Sequence, residues 1–180
     1  CGAWAAFSSV RRLDTGANLV NDFKRKNYVL SDRIFNNLHT MTPDVLISEV
    51  GPRDGLQSVR ATMATADKLR WIDALVAAGL REIEVASFVP ARALPQMAEA
   101  AEVVRHALTH PGVTVMALVP NVRGAEAALA AGVHKLTIPV SASAAHSLAN
   151  VRKTREEMVA EVRAIVRLRD AMAPGVQVEA

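Results

Sequence analysis

The sequence predicts an α/β chain forming the N-terminal half of a TIM (β/α)8 barrel, about four βα units plus the start of a fifth strand. Three observations carry this expectation. From residue 41 onward, short apolar runs alternate with stretches of helical spacing, the pattern of a parallel sheet with crossover helices. Neither G-x-G-x-x-G nor G-x-x-x-x-G-K occurs, so the phosphate loops of a nucleotide-binding doubly wound sheet are missing. Polar residues gather just after the apolar runs, where barrel enzymes carry their chemistry. A doubly wound open sheet is the other closure that the alternation allows. At 180 residues the chain is shorter than the roughly 250 of a complete barrel.

Each element has its own signal. Val45 to Val50 is an apolar run that fits a buried parallel strand. Thr65 is a candidate cap for a helix whose Leu69, Ile72, Leu75 and Val76 share a face, and Gly79 stops it. Glu82 to Ala86 reads as the second strand. Pro95 suits the first turn of a helix carrying Met97, Ala101, Val104 and Leu108, which Pro111-Gly112 breaks. Val113 to Val119 is the third strand. Asn121 caps a helix that runs to Gly132, and Lys135 to Val140 is the fourth strand. Thr154-Arg155-Glu156-Glu157 is a capping box, followed by Val159, Val162, Ile165 and Val166 at helical spacing. Val176 to Val178 begins a fifth strand.

Residues 1–40 differ from the rest. They hold five of the seven aromatics (Trp4, Phe7, Phe23, Tyr28, Phe35) and show no sustained period. They are expected to be a leader of uncertain status outside the fold, with the barrel domain over 41–180; a transit peptide or a small structured extension is the alternative. The net charge of +3 arises there. The leader has six basic and three acidic side chains, and the remainder has 15 of each sign. The barrel segment therefore offers no basic excess for nucleic acid. No apolar run approaches the roughly 20 residues of a membrane span. The single cysteine, Cys1, excludes an intrachain disulfide and a cysteine-based zinc site.

The candidate site residues follow from placement. Arg53, Asp54 and Gln57 come after strand one, in Gly51-Pro52-Arg53-Asp54-Gly55-Leu56-Gln57. Asp54 offers a hard oxygen to a metal, and Arg53 a fixed cation to a carbonyl or carboxylate oxygen. Glu84 sits in the apolar strand Ile83-Glu84-Val85-Ala86, so it either meets a cation such as Arg53 or faces solvent at an edge. Ser87 ends that strand. Asn121 is a helix cap first and a ligand contact second. Ser141, Ser143 and His146 follow strand four. His106 and His110 share a face of an outer helix and read as solvent-exposed. Arg152, Lys153 and Arg155 read as a solvated face.

These segments resemble 3-hydroxy-3-methylglutaryl-CoA lyase. The resemblance rests on Val45 to Gln57, on Ile83-Glu84-Val85-Ala86-Ser87-Phe88-Val89, on Leu94-Pro95-Gln96-Met97, and on Pro120-Asn121-Val122-Arg123-Gly124 with Ala128 to Gly132. That family belongs to the barrel metallolyases that include isopropylmalate and citramalate synthases. The resemblance implies a divalent cation, Mg²⁺ or Mn²⁺, and a retro-Claisen cleavage of the acyl-CoA to acetyl-CoA and acetoacetate. It implies Asp54 as metal ligand, Arg53 and Glu84 as catalytic residues, and Arg53, Gln57, Ser87, Asn121 and His146 as substrate contacts. It also implies further metal ligands on later strands, so the 180 residues alone are expected to be inactive. A bacterial-type cytoplasmic enzyme is expected rather than one of the mitochondrial matrix, with the full-length protein a candidate homo-oligomer, and without nucleic-acid or membrane partners. Ser58-Val59, where the family often has Asn-Glu, and Ser141 to His146 depart from the lyase pattern. A related acyl-CoA or 2-oxo acid lyase or synthase, or a non-catalytic half-barrel scaffold, are the alternatives.

Overall fold

The computed structural model describes residues 45–180. The expectation for residues 1–40 lies outside the described residues. Five parallel strands stand in the order β1-β2-β3-β4-β5: β1 (Ser48–Glu49), β2 (Glu82–Ser87), β3 (Thr114–Leu118), β4 (Lys135–Thr137) and β5 (Gln177–Glu179). Every strand lies beside the one made just before it. A doubly wound sheet reverses its order about a switch point. Among the described residues there is no reversal, which is the winding of a barrel.

The connecting helices are α1 (Thr65–Ala77), α2 (Ala100–Ala107), α3 (Val122–Ala131), α4 (Ala144–Val151) and α5 (Arg155–Met172). α1 packs on α2, α2 on α3, and α3 on α5, so these crossover helices form one layer. The core lies between that layer and the sheet. Ile83, Val85, Val115, Ala117 and Leu136 from the strands meet Ile72, Val104, Ala125, Ala128, Met158 and Ile165 from the helices.

Local chemistry explains most boundaries. Asn121 Oδ1 accepts the Gly124 N–H at 2.9 Å and starts α3, and Gly132 ends it at a φ of 92°, which favours glycine. Gly124 is required for another reason. A Cβ there would lie 2.7 Å from the Phe88 carbonyl oxygen, so the start of α3 touches the backbone just after β2. The capping box forms as expected: the Glu157 N–H donates to Thr154 Oγ1, and the Thr154 N–H donates to Glu157 Oε2.

Five expectations are corrected. The apolar run at 45–50 is not a buried strand. Only Ser48 and Glu49 pair, and Val45, Leu46 and Ile47 are 73%, 63% and 66% exposed. Among the described residues β1 is the edge of the sheet, and these side chains meet no second layer there. Thr65 is the first helical residue and not the cap; Ala64 holds that place in extended conformation. Pro95–Met97 forms a separate 3-10 turn ahead of α2. β4 stops at Thr137, before the Pro139 that can donate no hydrogen bond to a ladder. α4 is an additional helix, capped by Ser143 and closed from α5 by Arg152 at a φ of 57°.

Candidate active site at the C-terminal ends of the strands

The Gly51-Pro52-Arg53-Asp54-Gly55 segment is a widened helical turn that leaves β1. The Asp54 N–H donates to Val50 O at 2.7 Å, and the Leu56 N–H reaches the Gly51 carbonyl five residues back. Glu49 Oε1 accepts the Gly51 N–H at 2.6 Å and secures the turn from below. The turn points the Arg53 side chain across to β2. Arg53 Nε donates to Glu84 Oε2 at 2.5 Å, and Nη2 lies against the same oxygen. Nη1 donates to Asp54 Oδ1 at 2.8 Å, and Gln57 Nε2 donates to that oxygen at 2.7 Å. Adjacent on the chain, Arg53 and Asp54 pair because the turn replaces the alternation of a strand, which would point them apart.

Glu84 is 1% exposed, and the cost of burying its charge is offset on both oxygens. Oε2 takes Arg53 and Oε1 accepts the Thr137 hydroxyl from β4. A guanidinium has five N–H donors. Among the described residues, three are engaged by Glu84 and Asp54.

A bulge decides what shares this cleft. Glu84 pairs with Met116 and Ala86 with Ala117, so Val85 is an extra residue in β2. In a regular strand, residues three apart face opposite sides. The bulge brings Ser87 onto the side of Glu84, opposite Met116 and Leu118, while Ile83, Val85 and Ala86 join the core. Deeper along the same side, Lys135 Nζ meets Glu82 at 3.1 Å and Glu179 at 3.0 Å. Burial pushes the Lys135 ammonium down in pKa, but its bonds to Glu179 and Glu82 outweigh that and the pKa is raised.

The resulting cleft has a volume of about 610 Å³. Arg53, Asp54, Gln57, Glu84 and Ser87 line it. Asn121 and His146 are not among its lining residues. Asn121 is spent on the α3 cap, and His146, exposed in the first turn of α4, has its Nδ1 2.6 Å from Ser141 Oγ on the preceding loop. Sequence reasoning missed Thr137, Glu179 and Asn150. Thr137 had a signal: Lys135 and Thr137 alternate with the apolar Leu136 and Ile138, which assigns the two polar residues to one face. Asn150 had none, since α4 itself was not anticipated. Lys153 is engaged by Glu161, and Arg155 by the Ala142 carbonyl, so neither offers a clear anion site.

The donor set can be tested against a hard divalent cation, which takes about six oxygen ligands. Asp54 is half exposed and offers Oδ2. Glu84 is committed to Arg53 and Thr137, and Glu179 to Lys135. The described residues thus supply one hard ligand and do not complete a coordination sphere.

The HMGL-like family model matches residues 44–179. A Pseudomonas aeruginosa protein named 3-hydroxy-3-isohexenylglutaryl-CoA/hydroxy-methylglutaryl-CoA lyase is 50% identical over 107 residues, 59% of this chain and 36% of its own length. The crystal structure of hydroxymethylglutaryl-CoA lyase from the same organism superimposes with a TM-score of 0.69 at 41% identity, covering 74% of this chain and 44% of that one. An HMG-CoA lyase from Acinetobacter baumannii, solved with coenzyme A and 3-methylmalate, gives 0.70 at 33% identity, covering 77% and 45%. The chain spans about two fifths of the length of the curated relatives it matches.

Proposed function

The chain belongs to the HMGL-like family, and on that premise we propose that it forms the arginine-bearing part of the active site of a hydroxymethylglutaryl-CoA lyase-like carbon–carbon lyase. The observation that carries this reading is the Arg53 guanidinium, anchored by buried Glu84 at the wall of the cleft. In the cleavage of 3-hydroxy-3-methylglutaryl-CoA, a base takes the C3 hydroxyl proton and the C2–C3 bond breaks. C3 becomes the ketone carbon of acetoacetate. The bonding pair passes to the thioester enolate, which is protonated at C2 to give acetyl-CoA. Arg53 meets the charge that develops on the enolate oxygen. A cation already locked in place does so without reorganising, which is where such groups act most strongly. Glu84 orients Arg53 and does not itself need to touch the substrate. Gln57 fixes the Asp54 carboxylate, and Ser87 lies at the cleft wall.

The divalent cation, Mg²⁺ or Mn²⁺, belongs to this reading as a Lewis acid for the acyl oxygens. Asp54 is its ligand from this chain, and the remaining ligands have to come from beyond the described residues. In this reading the chain is cytoplasmic, binds an acyl-CoA, and is inactive by itself.

A chimera tests the proposal. Residues 44–179 would replace the matching segment of the Pseudomonas lyase, and acetoacetate release would be followed with Mg²⁺ present. The expected result is cleavage of hydroxymethylglutaryl-CoA, with Arg53→Lys lowering kcat by about 10²-fold. A soluble, folded chimera that leaves this thioester intact would overturn the reading. The Pseudomonas relative's name carries a second, longer acyl group, so cleavage of isohexenylglutaryl-CoA alone would favour the related-substrate alternative.

A further inference from the structure

On the outer layer, away from the cleft, Asp73 of α1 faces His106 in the last turn of α2 and His110 just beyond its end. His106 Nε2 lies 2.7 Å from Asp73 Oδ1, and His110 Nε2 lies 2.8 Å from the same oxygen. The two rings stand edge to face with centroids 5.5 Å apart. The histidines are 27% and 24% exposed, so the surface-histidine expectation is corrected: both turn inward onto one carboxylate. The lyase reading uses none of these three groups.

We propose that Asp73, His106 and His110 form a site for a divalent transition ion of the Zn²⁺ class, which staples α1 to α2. One ligand atom from each residue lies within 4.8 Å of the others. Tetrahedral zinc with bonds near 2.0–2.1 Å holds its ligand atoms about 3.3 Å apart. The two histidine–carboxylate contacts therefore need to open by only roughly 0.6 Å. The donor set sets the metal class. Two imidazoles and one carboxylate suit Zn²⁺ and its neighbours and not Mg²⁺, which prefers oxygen alone. Spacing of four residues puts both imidazoles on one side of the chain as α2 ends, and the third ligand comes from a different helix. Binding needs each neutral ring to carry its proton on Nδ1, which frees Nε2 for the ion. Partial exposure supplies an entry path and a fourth position for water.

The test uses the full 180-residue chain with any affinity tag removed. Co²⁺ titration followed by visible absorption reports coordination, and Zn²⁺ calorimetry reports stoichiometry. The expected result is one ion per chain, a tetrahedral Co²⁺ spectrum, and a Tm raised by roughly 5 °C with excess Zn²⁺. His106→Asn and His110→Gln should each weaken Zn²⁺ by about tenfold or more. Circular dichroism of each variant checks that the helices persist. Asp54→Asn, in the cleft, should leave this affinity unchanged. The proposal is overturned if folded wild-type chain takes up no stoichiometric Zn²⁺. It is equally overturned if uptake survives both histidine substitutions, or disappears with Asp54→Asn.

Discussion

Glu84 is the residue on which the cleft turns. It is a carboxylate in an apolar strand, which leaves two readings, a cation partner or an edge facing solvent; the structure realises the first, since an unpaired buried charge is too costly to keep. Arg53 was legible as that partner because it follows the neighbouring strand. The second partner, Thr137, was not legible as such: its hydroxyl comes from a strand 53 residues away, and only the sheet order brings it near. Nor could sequence put Ser87 beside Glu84, because the bulge at Val85 reverses the parity of the strand. Glu84→Gln keeps the shape and removes the charge. It is expected to lower stability by about 3 kcal/mol, seen as an earlier urea midpoint in Trp71 fluorescence with an unchanged slope. An unshifted midpoint would mean that the Arg53–Glu84 pair adds nothing to the fold.

At the scale of elements, the helices were read best where a side chain does the capping. Asn121 and the Thr154–Glu157 box announce α3 and α5. α1 starts at a backbone-only cap, and α4 hides in a Ser-Ala segment without a long apolar stripe, so both starts eluded the pattern. Gly124 ties α3 to β2 by close approach. Gly124→Ala forces a Cβ onto the Phe88 carbonyl, and its expected cost is about 1–3 kcal/mol, measurable as a lower Tm. A second tie joins α1 to the start of α2. Lys68 Nζ, almost fully buried, donates to Glu99 Oε2 at 2.9 Å and to the Gln96 carbonyl. The Lys68 hydrogen bond holds the Glu99 carboxyl below its ordinary pKa. A depressed carboxyl adds stability above its unfolded value, near pH 4.3, and loses it as pH falls through the lower folded value. Glu99→Gln should flatten that acid branch of the stability profile. An acid branch of unchanged steepness in urea titrations would count against this assignment.

For the whole molecule, the fold class was legible because alternating βα units leave few topologies, and the missing phosphate loops removed one of them. What could not be read was how little of the first apolar run is buried, since burial at an edge depends on what lies beside it. Val45, Leu46 and Ile47 present a short apolar row next to the partly paired β1. Such an edge promotes association. Ile47→Lys is therefore expected to shift the chain toward monomer in sedimentation velocity at raised concentration, whereas identical sedimentation would show that the row is inert. The consecutive order of the strands has a consequence in time. A ribosome delivers each βα unit directly beside the surface that receives it, so the sheet can grow in the direction of synthesis. Among the described strands, each of β2 to β5 can dock on one already in place.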